Sequence, residues 1–110
     1  MLNVAKCCPF SIRNPENIIR FSDTRIDMIP YGRPKLVMFG TGNKKGYTLI
    51  QLIETSNISA HFVEETNDIY LDVFSCKHFN PETVKDTVQE FFDAKHIEET
   101  TFTRQAKRME

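Results

Sequence analysis

Alternating apolar and polar positions along much of the chain predict β-strands separated by short turns. The apolar runs are rich in β-branched and aromatic residues, and glycine, proline and asparagine interrupt them. Residues 40–43 and 64–68 have the composition of turns. The predicted strands are residues 4–12 (broken at Pro9), 35–39, 47–53, 58–63, 69–75 and 96–103.

Two helices are predicted between the strands by matching start signals. Asn14-Pro15-Glu16 and Asn80-Pro81-Glu82 each supply an N-cap, a first-turn proline and a first-turn acid. An apolar stripe follows each signal, and residues 31–34 end the first helix as a turn. The stripe residues are Ile18, Ile19, Phe21 and Ile26 in the first helix and Val84, Val88, Phe91 and Phe92 in the second.

The strands over residues 58–63 and 69–75 are predicted to form a β-hairpin around the polar turn between them. A hairpin centred on Thr66 places Ser56 opposite Cys76. A shift of one residue in this register would send each side chain to the other face of the sheet. The pairing of Ser56 with Cys76 is therefore a precise expectation that a structure tests directly.

The order of elements predicts an α+β fold, namely a two-layer sandwich in which an antiparallel sheet carries two helices on one face. The length of 110 residues suits a single domain, residues 1–110, with one core. A domain this small gains from burying apolar surface against another copy. We therefore expect a homodimer or a higher homo-oligomer.

Charge and hydropathy exclude several classes of partner. The chain has 14 basic and 15 acidic residues, which are interspersed and give a formal net charge of −1. Such a surface offers no positive patch for nucleic acid or anionic membrane, so neither is an expected partner. No apolar run approaches the length of a membrane span, and residues 1–6 lack the layout of a secretory signal. We expect a cytoplasmic protein.

The three cysteines do not form a disulfide framework, and their odd number is typical of a reducing compartment. Cys7 and Cys8 are predicted to pack on the first strand. Cys76 and His78 lack the C-x-x-C or H-x-x-x-H spacing that metal sites use, so no metal is expected.

Residues 54–65, followed by residues 72–76, place a serine, a histidine, an acid and a cysteine in a distinctive spacing. This stretch resembles the prokaryotic S-adenosylmethionine decarboxylase family. Its short proenzymes carry the signature E-S-H-I-S-x-H-x-x-P-E and then a D-x-F-x-C strand. The aligned residues here are Thr55-Ser56-Asn57-Ile58-Ser59-Ala60-His61-Phe62-Val63-Glu64-Glu65 and Asp72-Val73-Phe74-Ser75-Cys76.

The resemblance implies a role for each matched residue. Ser56 becomes a pyruvoyl group after self-cleavage of the Thr55–Ser56 bond, which divides the chain between residues 55 and 56. His61 assists that processing, Cys76 donates the proton in decarboxylation, and Glu65 contacts the ribose of the substrate. The sequence departs from the signature at Thr55, where the family has glutamate, and at Asn57, where it has histidine.

Two further residues follow from the same resemblance. Gly46-Tyr47-Thr48 aligns with a G-x-S whose hydroxyl assists processing, and Thr48 keeps a hydroxyl. Phe39 takes the place of an aromatic that stacks on adenine if one gap is allowed in the alignment. The implied protein is a pyruvoyl-dependent decarboxylase of S-adenosylmethionine, which makes the aminopropyl donor for spermidine. Its small subunits pair so that the active sites lie near the dimer interface.

The chemistry of such a site can be stated in general terms. The Ser56 hydroxyl attacks the preceding carbonyl, and the resulting ester eliminates to a dehydroalanine that hydrolyses to a pyruvoyl group with loss of ammonia. The reaction requires a strained turn, a base and an oxyanion partner, and His61 and Thr48 are candidates for the last two. The new carbonyl forms a Schiff base with a substrate amine and accepts electrons as carbon dioxide leaves, so no separate cofactor is needed.

Alternative interpretations remain open from the sequence. Taken singly, Ser56 is an ordinary turn residue, His61 an ordinary strand residue and Cys76 a small buried hydrophobe. The same pyruvoyl chemistry also suits a basic amino acid such as ornithine or arginine, particularly if Phe39 stacks on no adenine and Glu64 or Glu65 is a free acid. A third interpretation is a relative that never cleaves and serves in binding or regulation.

Overall fold

A computed structural model describes residues 1–23, 32–42, 45–53, 56–75 and 80–101 of the chain. Within these ranges six strands form one sheet in which every neighbouring pair is antiparallel. The strands are β1 (Leu2–Ala5), β2 (Lys35–Phe39), β3 (Gly46–Ile53), β4 (Ser56–Val63), β5 (Asp68–Ser75) and β6 (His96–Glu99). Their spatial order is β2-β3-β4-β5-β1-β6, so β1 lies between two strands from the second half of the chain.

Within the described ranges, three helices cover one face of this sheet. They are α1 (Pro9–Arg13), α2 (Pro15–Ser22) and α3 (Pro81–Phe92). The two predicted start signals are confirmed. The Asn14 side chain accepts a hydrogen bond from the backbone N–H of Glu16, and Asn80 accepts one from Glu82, each at 3.0 Å. These caps satisfy backbone donors that have no partner within the helix. The predicted α+β two-layer sandwich is confirmed.

The prediction of a strand over residues 4–12 is wrong, because β1 ends at Ala5 and α1 begins at Pro9. Proline has no N–H to donate to a sheet, and its fixed φ suits the first position of a helix. Cys7 and Cys8, which were expected on the strand, lie in the connection between the two elements. Cys7 is buried there and Cys8 is half-buried.

Period-two alternation in the central strands explains how the sheet builds a core on one face only. In β3 and β4 every second residue is buried under the helices, because successive side chains point to opposite faces of a strand. Phe62 from β4 meets Phe92 from α3 at 5.4 Å between ring centroids, and Phe92 meets Phe21 from α2 at 5.0 Å. These three rings connect α2 and α3 to the centre of the sheet.

The opposite face of the sheet, here called the open face, is not covered by any described helix. Residues that pair directly across strands share a face, so the register identifies its members. They include several large apolar residues that are substantially exposed and several polar ones. The open-face residues used below are Phe39, Thr48, Ile50, Leu52, Ser59, His61, Tyr70 and Phe74.

The β4–β5 hairpin forms as predicted, but its register differs by one residue. Val63 pairs with Asp68 and Ser56 pairs with Ser75, so the predicted pairing of Ser56 with Cys76 is wrong. The loop has four residues because Asn67 takes a left-handed φ of 58°, which closes the turn one residue earlier. Asparagine tolerates this conformation better than most residues, so the sequence permits the tighter turn.

Most of the other predicted strand ends lie within the described ranges, and a few predicted residues do not. The strands predicted over residues 35–39, 47–53, 58–63 and 69–75 are confirmed to within two residues at each end. The last strand was predicted too long, since β6 ends at Glu99. The predictions that fall on Ile26, Thr55, Cys76 and His78 lie outside the described residues.

Candidate active site

Thr48 and His61 form a hydrogen-bonded pair in the middle of the open face. They are direct partners in the β3–β4 ladder, and Thr48 Oγ1 lies 2.8 Å from His61 Nδ1. Both side chains are half-buried, so neighbouring residues restrict them while one side stays accessible. A hydroxyl held against one ring nitrogen fixes the orientation of the imidazole and leaves Nε2 available. This arrangement suits proton transfer by the histidine.

Tyr70 flanks the pair on the other side, because it is the direct partner of His61 in β5. Its side chain is 52% exposed and shares the open face. Sequence reasoning missed it, since the predicted register set Leu71 opposite His61. The correct register depends on the conformation of Asn67, which is not visible in the apolar pattern.

Gly46 permits an unusually close approach of β3 and β4 beside the pair. A Cβ atom built at Gly46 would lie 1.5 Å from the carbonyl oxygen of Phe62. Any side chain at this position therefore forces the two strands apart, two residues from Thr48. Phe39 lies opposite Gly46 in β2 and is 56% exposed on the same face as Thr48. The structure thus assembles Phe39, Thr48 and His61 on one surface.

Ser56 is the first residue of β4 and pairs with Ile53 on one side and Ser75 on the other. It therefore directly follows the connection between β3 and β4. Residues in a strand advance about 3.3 Å each, so the five-residue separation along the continuous strand β4 places Ser56 about 17 Å from His61. Within one chain the two residues are therefore far apart along the backbone of β4.

The two acids of the β4–β5 turn differ in their surroundings. Glu64 is half-buried, and its carboxylate lies 3.7 Å from the Arg13 guanidinium. Glu65, the predicted ribose contact, is exposed at the tip of the turn. Ser56 begins β4, and Glu65 lies just past the opposite end of that strand. Within one chain, Ser56 therefore lies at one end of β4, whereas His61 and Glu65 lie near and beyond the other end.

The Cys7 thiol is not suited to catalysis. Burial, and to a smaller extent the nearby Asp68 carboxylate, raise the pKa of Cys7 to about 12. At neutral pH the Cys7 sulfur thus keeps its proton and is a poor nucleophile. Cys76, the predicted proton donor, lies outside the described residues.

The described ranges contain neither a cluster of metal ligands nor a helix that could span a membrane. No group of three or more His, Cys, Asp or Glu side chains there is arranged to hold a metal ion. None of the helices in the same ranges combines the length and the apolar character that a membrane crossing requires.

The fold and the pair define a two-layer α+β protein whose uncovered sheet carries a hydroxyl–imidazole pair. The sequence matches the profile of S-adenosylmethionine decarboxylase over residues 1–105. The chain therefore belongs to the S-adenosylmethionine decarboxylase family, as the motif resemblance implied. Membership supports a function of the S-adenosylmethionine decarboxylase type and implies a small-molecule substrate. A comparison with curated proteins finds no match.

Proposed function

We propose that the protein is a pyruvoyl-dependent decarboxylase that acts on S-adenosylmethionine and provides the aminopropyl donor for spermidine synthesis. The observation that carries the proposal is the 2.8 Å hydrogen bond between Thr48 and His61 on the open face of a family member. A histidine oriented in this way serves the self-cleavage that creates the reactive group. Cys76 is the proposed proton donor in decarboxylation.

In the proposed processing step the Ser56 hydroxyl attacks the carbonyl of Thr55, and the peptide bond is exchanged for an ester. His61 accepts the hydroxyl proton, and Thr48 holds the imidazole in place. Elimination from the ester releases residues 1–55 with a free carboxylate, and hydrolysis of the remaining dehydroalanine releases ammonia. The pyruvoyl group so formed supplies a carbonyl for the substrate amine and an electron sink during loss of carbon dioxide.

The position of Ser56 fits a residue that must carry such a group. Residues 57–61 of β4 are paired with β3 on one side, and residues 57–63 are paired with β5 on the other. A break before Ser56 leaves these ladders intact, so the new chain end stays anchored next to Ile53 and Ser75. The reactive carbonyl would therefore be presented from a rigid element, as a catalytic group requires.

The separation of about 17 Å along β4 supports a site shared between two copies of the chain. Consider a two-fold dimer packed open face to open face, with the axis perpendicular to the strands. Each strand of one copy then runs in the opposite direction to the same strand of the other copy. The His61 region of one copy then lies over the Ser56 end of its partner. This homodimer would complete two equivalent sites, each with Ser56 from one copy and Thr48, His61 and Glu65 from the other. Because Ser56 pairs with Ile53, which belongs to the covered face, the proposal requires Ser56, the first residue of β4, to turn toward the partner copy during processing.

The apolar character of the open face also supports such a dimer. Leu52 is 54% exposed and Ile50 is 43% exposed, although both belong to β3, which has a neighbouring strand on each side. Phe39, Tyr70 and Phe74 add further accessible ring surface on the same face. Burying side chains of this size against a second sheet gains about 25 cal/mol per Å² of apolar area. The dimer therefore has a driving force as well as a catalytic purpose.

The choice of S-adenosylmethionine over a basic amino acid rests on the surroundings of Phe39 and Glu64. Phe39 is exposed on the same face as Thr48 and His61, so an aromatic ring is available to stack on adenine. Glu64 is occupied by Arg13, which leaves Glu65 as the exposed acid of the turn. One acid beside an aromatic suits a ribose with its adenine better than a short cationic side chain.

The decisive experiment is the intact mass of the purified protein under denaturing conditions. The proposal predicts two pieces of 55 residues each, of which the second lacks one ammonia relative to an N-terminal serine and is reduced by borohydride. Ser56→Ala should remain whole and inactive, while the matched control Ser59→Ala, on the same strand, should cleave. A wild-type chain that stays whole after prolonged incubation removes the catalytic proposal and favours the binding or regulatory interpretation.

A mixing experiment tests the shared site. His61→Ala and Ser56→Ala are each expected to stay whole when expressed alone. When they are co-expressed with different tags, only the His61→Ala chain should cleave, because its serine meets the histidine of its partner. Continued absence of cleavage in the mixture, with wild type cleaving normally, would show that serine and histidine act within one chain and would refute the shared site.

A further inference from the structure

Arg13, at the end of α1, reaches from the helical layer to the β4–β5 turn. Its Nη1 donates to the side-chain oxygen of Asn67 and to the carbonyl of Pro9, each at 2.8 Å. Its Nη2 donates to the carbonyl of Glu64 at 2.6 Å. The guanidinium therefore holds the first and last residues of the four-residue loop at once.

The N-terminal segment before α1 anchors the same turn by backbone contacts. The N–H of Cys7 donates to the carbonyl of Asn67 at 2.8 Å, and the N–H of Lys6 donates to the Asp68 carboxylate at 3.3 Å. On the opposite side, the N–H of Glu64 donates to the carbonyl of Lys45 at 3.1 Å. Both ends of the turn are thus fixed, and Glu65 lies between them.

The ion pair with Arg13 also distinguishes the two adjacent acids. The Glu64 carboxylate faces the guanidinium and keeps only 17% of its side chain exposed. Glu65 has no hydrogen-bond or ion-pair partner among the residues that the structure describes, and its side chain is exposed. The Arg13 guanidinium therefore pairs with Glu64 and leaves Glu65 accessible on an ordered backbone.

We propose that Arg13 is a positioning residue that holds the β4–β5 turn so that Glu65 is presented to the substrate bound at the Ser56 of the partner copy. This inference rests on the proposed function. Arg13 touches neither the substrate nor the reacting atoms, and it acts through the turn backbone. Its importance lies in substrate binding, because the processing residues Ser56, Thr48 and His61 lie elsewhere on the strands.

The geometry requires arginine specifically. Its planar guanidinium presents several donors in a fixed fork, and here they serve two side chains and two carbonyls simultaneously. Lysine at this position retains the positive charge but offers a single ammonium, so it can hold Glu64 without also holding Asn67. Methionine retains the aliphatic stem and loses every donor. Arg13→Lys should therefore be intermediate between wild type and Arg13→Met.

The test is steady-state decarboxylation of S-adenosylmethionine by the fully cleaved full-length protein. Arg13→Met should raise KM on the order of tenfold with kcat within about twofold, since displacing a binding group by about 1 Å costs up to about 100-fold. The rate of self-cleavage should be unchanged. Arg20→Met, the same substitution on the neighbouring helix, is the matched control: Arg20 lies over the Phe91 ring, so its loss should leave KM at the wild-type value.

A double variant separates positioning from general structure. If Arg13 acts through Glu65, Arg13→Met combined with Glu65→Gln should raise KM no further than Glu65→Gln alone. Additive effects, an unchanged KM in Arg13→Met, or a parallel loss of kcat, cleavage rate and Tm would each overturn the inference. A wild-type chain that never cleaves overturns the proposed function first, and this outcome is visible before any Arg13 variant is compared.

Discussion

The two faces of the sheet are built from the same strands, yet helices fill one and leave the other uncovered. On the covered face, Leu49, Ile58 and Phe62 are almost fully buried in one apolar core. On the open face, the residues next to them in sequence are half-buried or exposed, and they include Thr48 and His61. Alternation along each strand thus separates residues that stabilise the fold from the residues proposed to carry the chemistry.

This separation means that a substitution should damage either stability or activity, according to its face. His61 and Phe62 are consecutive residues of β4, and they contact entirely different surroundings. Gly46 is the exception, because its missing side chain concerns the distance between two strands and therefore both faces. The predictions below use these residues to test the division.

The largest expected effect is the loss of processing in Thr48→Val. Valine has a similar shape but no hydroxyl, so the imidazole of His61 loses the partner that orients it. Self-cleavage should slow by about 100-fold or more, within the range that general acid–base groups contribute. The rate is measured as the fraction of cut chain over time. Thr48→Ser should cleave nearly as fast as wild type, and equal rates for valine and serine would contradict the role of the hydroxyl.

The next effect concerns stability on the covered face. Phe62→Ala removes a fully buried ring that packs on Phe92, so the free energy of unfolding should fall by about 3–5 kcal/mol. His61→Ala, one residue earlier, should cost less than about 1.5 kcal/mol, since it loses one hydrogen bond on the open face. Urea denaturation of both variants gives the comparison. Similar losses in the two would refute the division between the faces.

Gly46→Ala should affect both properties. The added Cβ meets the carbonyl of Phe62, so the strands must move apart beside Thr48. Overpacking of this kind costs about 1–3 kcal/mol, and the displaced ladder should also slow cleavage. Gly42→Ala is the control, because its Cβ meets open space and only its positive φ is unfavourable. Calorimetry and the cleavage assay should separate them: both variants lose stability, but only Gly46→Ala loses cleavage rate.

The smallest effect is a dependence of stability on alkaline pH. The pKa of Cys7 is about 12 in the folded protein because the thiol is buried, and its ordinary value is 9.0. Between these values the unfolded chain loses the proton that the folded chain keeps, so stability falls as pH rises through this window. Other groups titrate there too. The measurement is therefore the difference in unfolding free energy between wild type and Cys7→Ala, which should change with pH only above about 9.

Much of the fold was predictable from local signals in the sequence. The Asn-Pro-Glu starts of α2 and α3, and the alternation in β3 and β4, are properties of short segments. The resemblance named both Thr48 and His61 as processing residues, but their direct pairing across β3 and β4 is known only from the structure. The error in the first strand arose because Pro9 interrupts an apolar run, and a proline is compatible with both a strand edge and a helix start.

What the sequence did not predict depends on distant contacts or on a single backbone angle. The hairpin register is set by the left-handed conformation of Asn67, and this angle moved Tyr70 into place beside His61. The hydrogen bond by which Arg13 holds the β4–β5 turn joins it to Glu64, which is 51 positions away in the sequence. The distance between Ser56 and His61 required knowing that β4 runs straight through both. Motif spacing alone suggested proximity within one chain.

The position of β1 has a consequence for the protein after a cut before Ser56. The first piece would contain β1, β2 and β3, and the second would contain β4, β5 and β6. In the sheet, however, β1 lies between β5 and β6. The two pieces would therefore be interleaved, with strands of each enclosed by strands of the other. Pulling them apart means breaking the β3–β4, β5–β1 and β1–β6 ladders together. The cut protein would thus be two polypeptides that unfold as one.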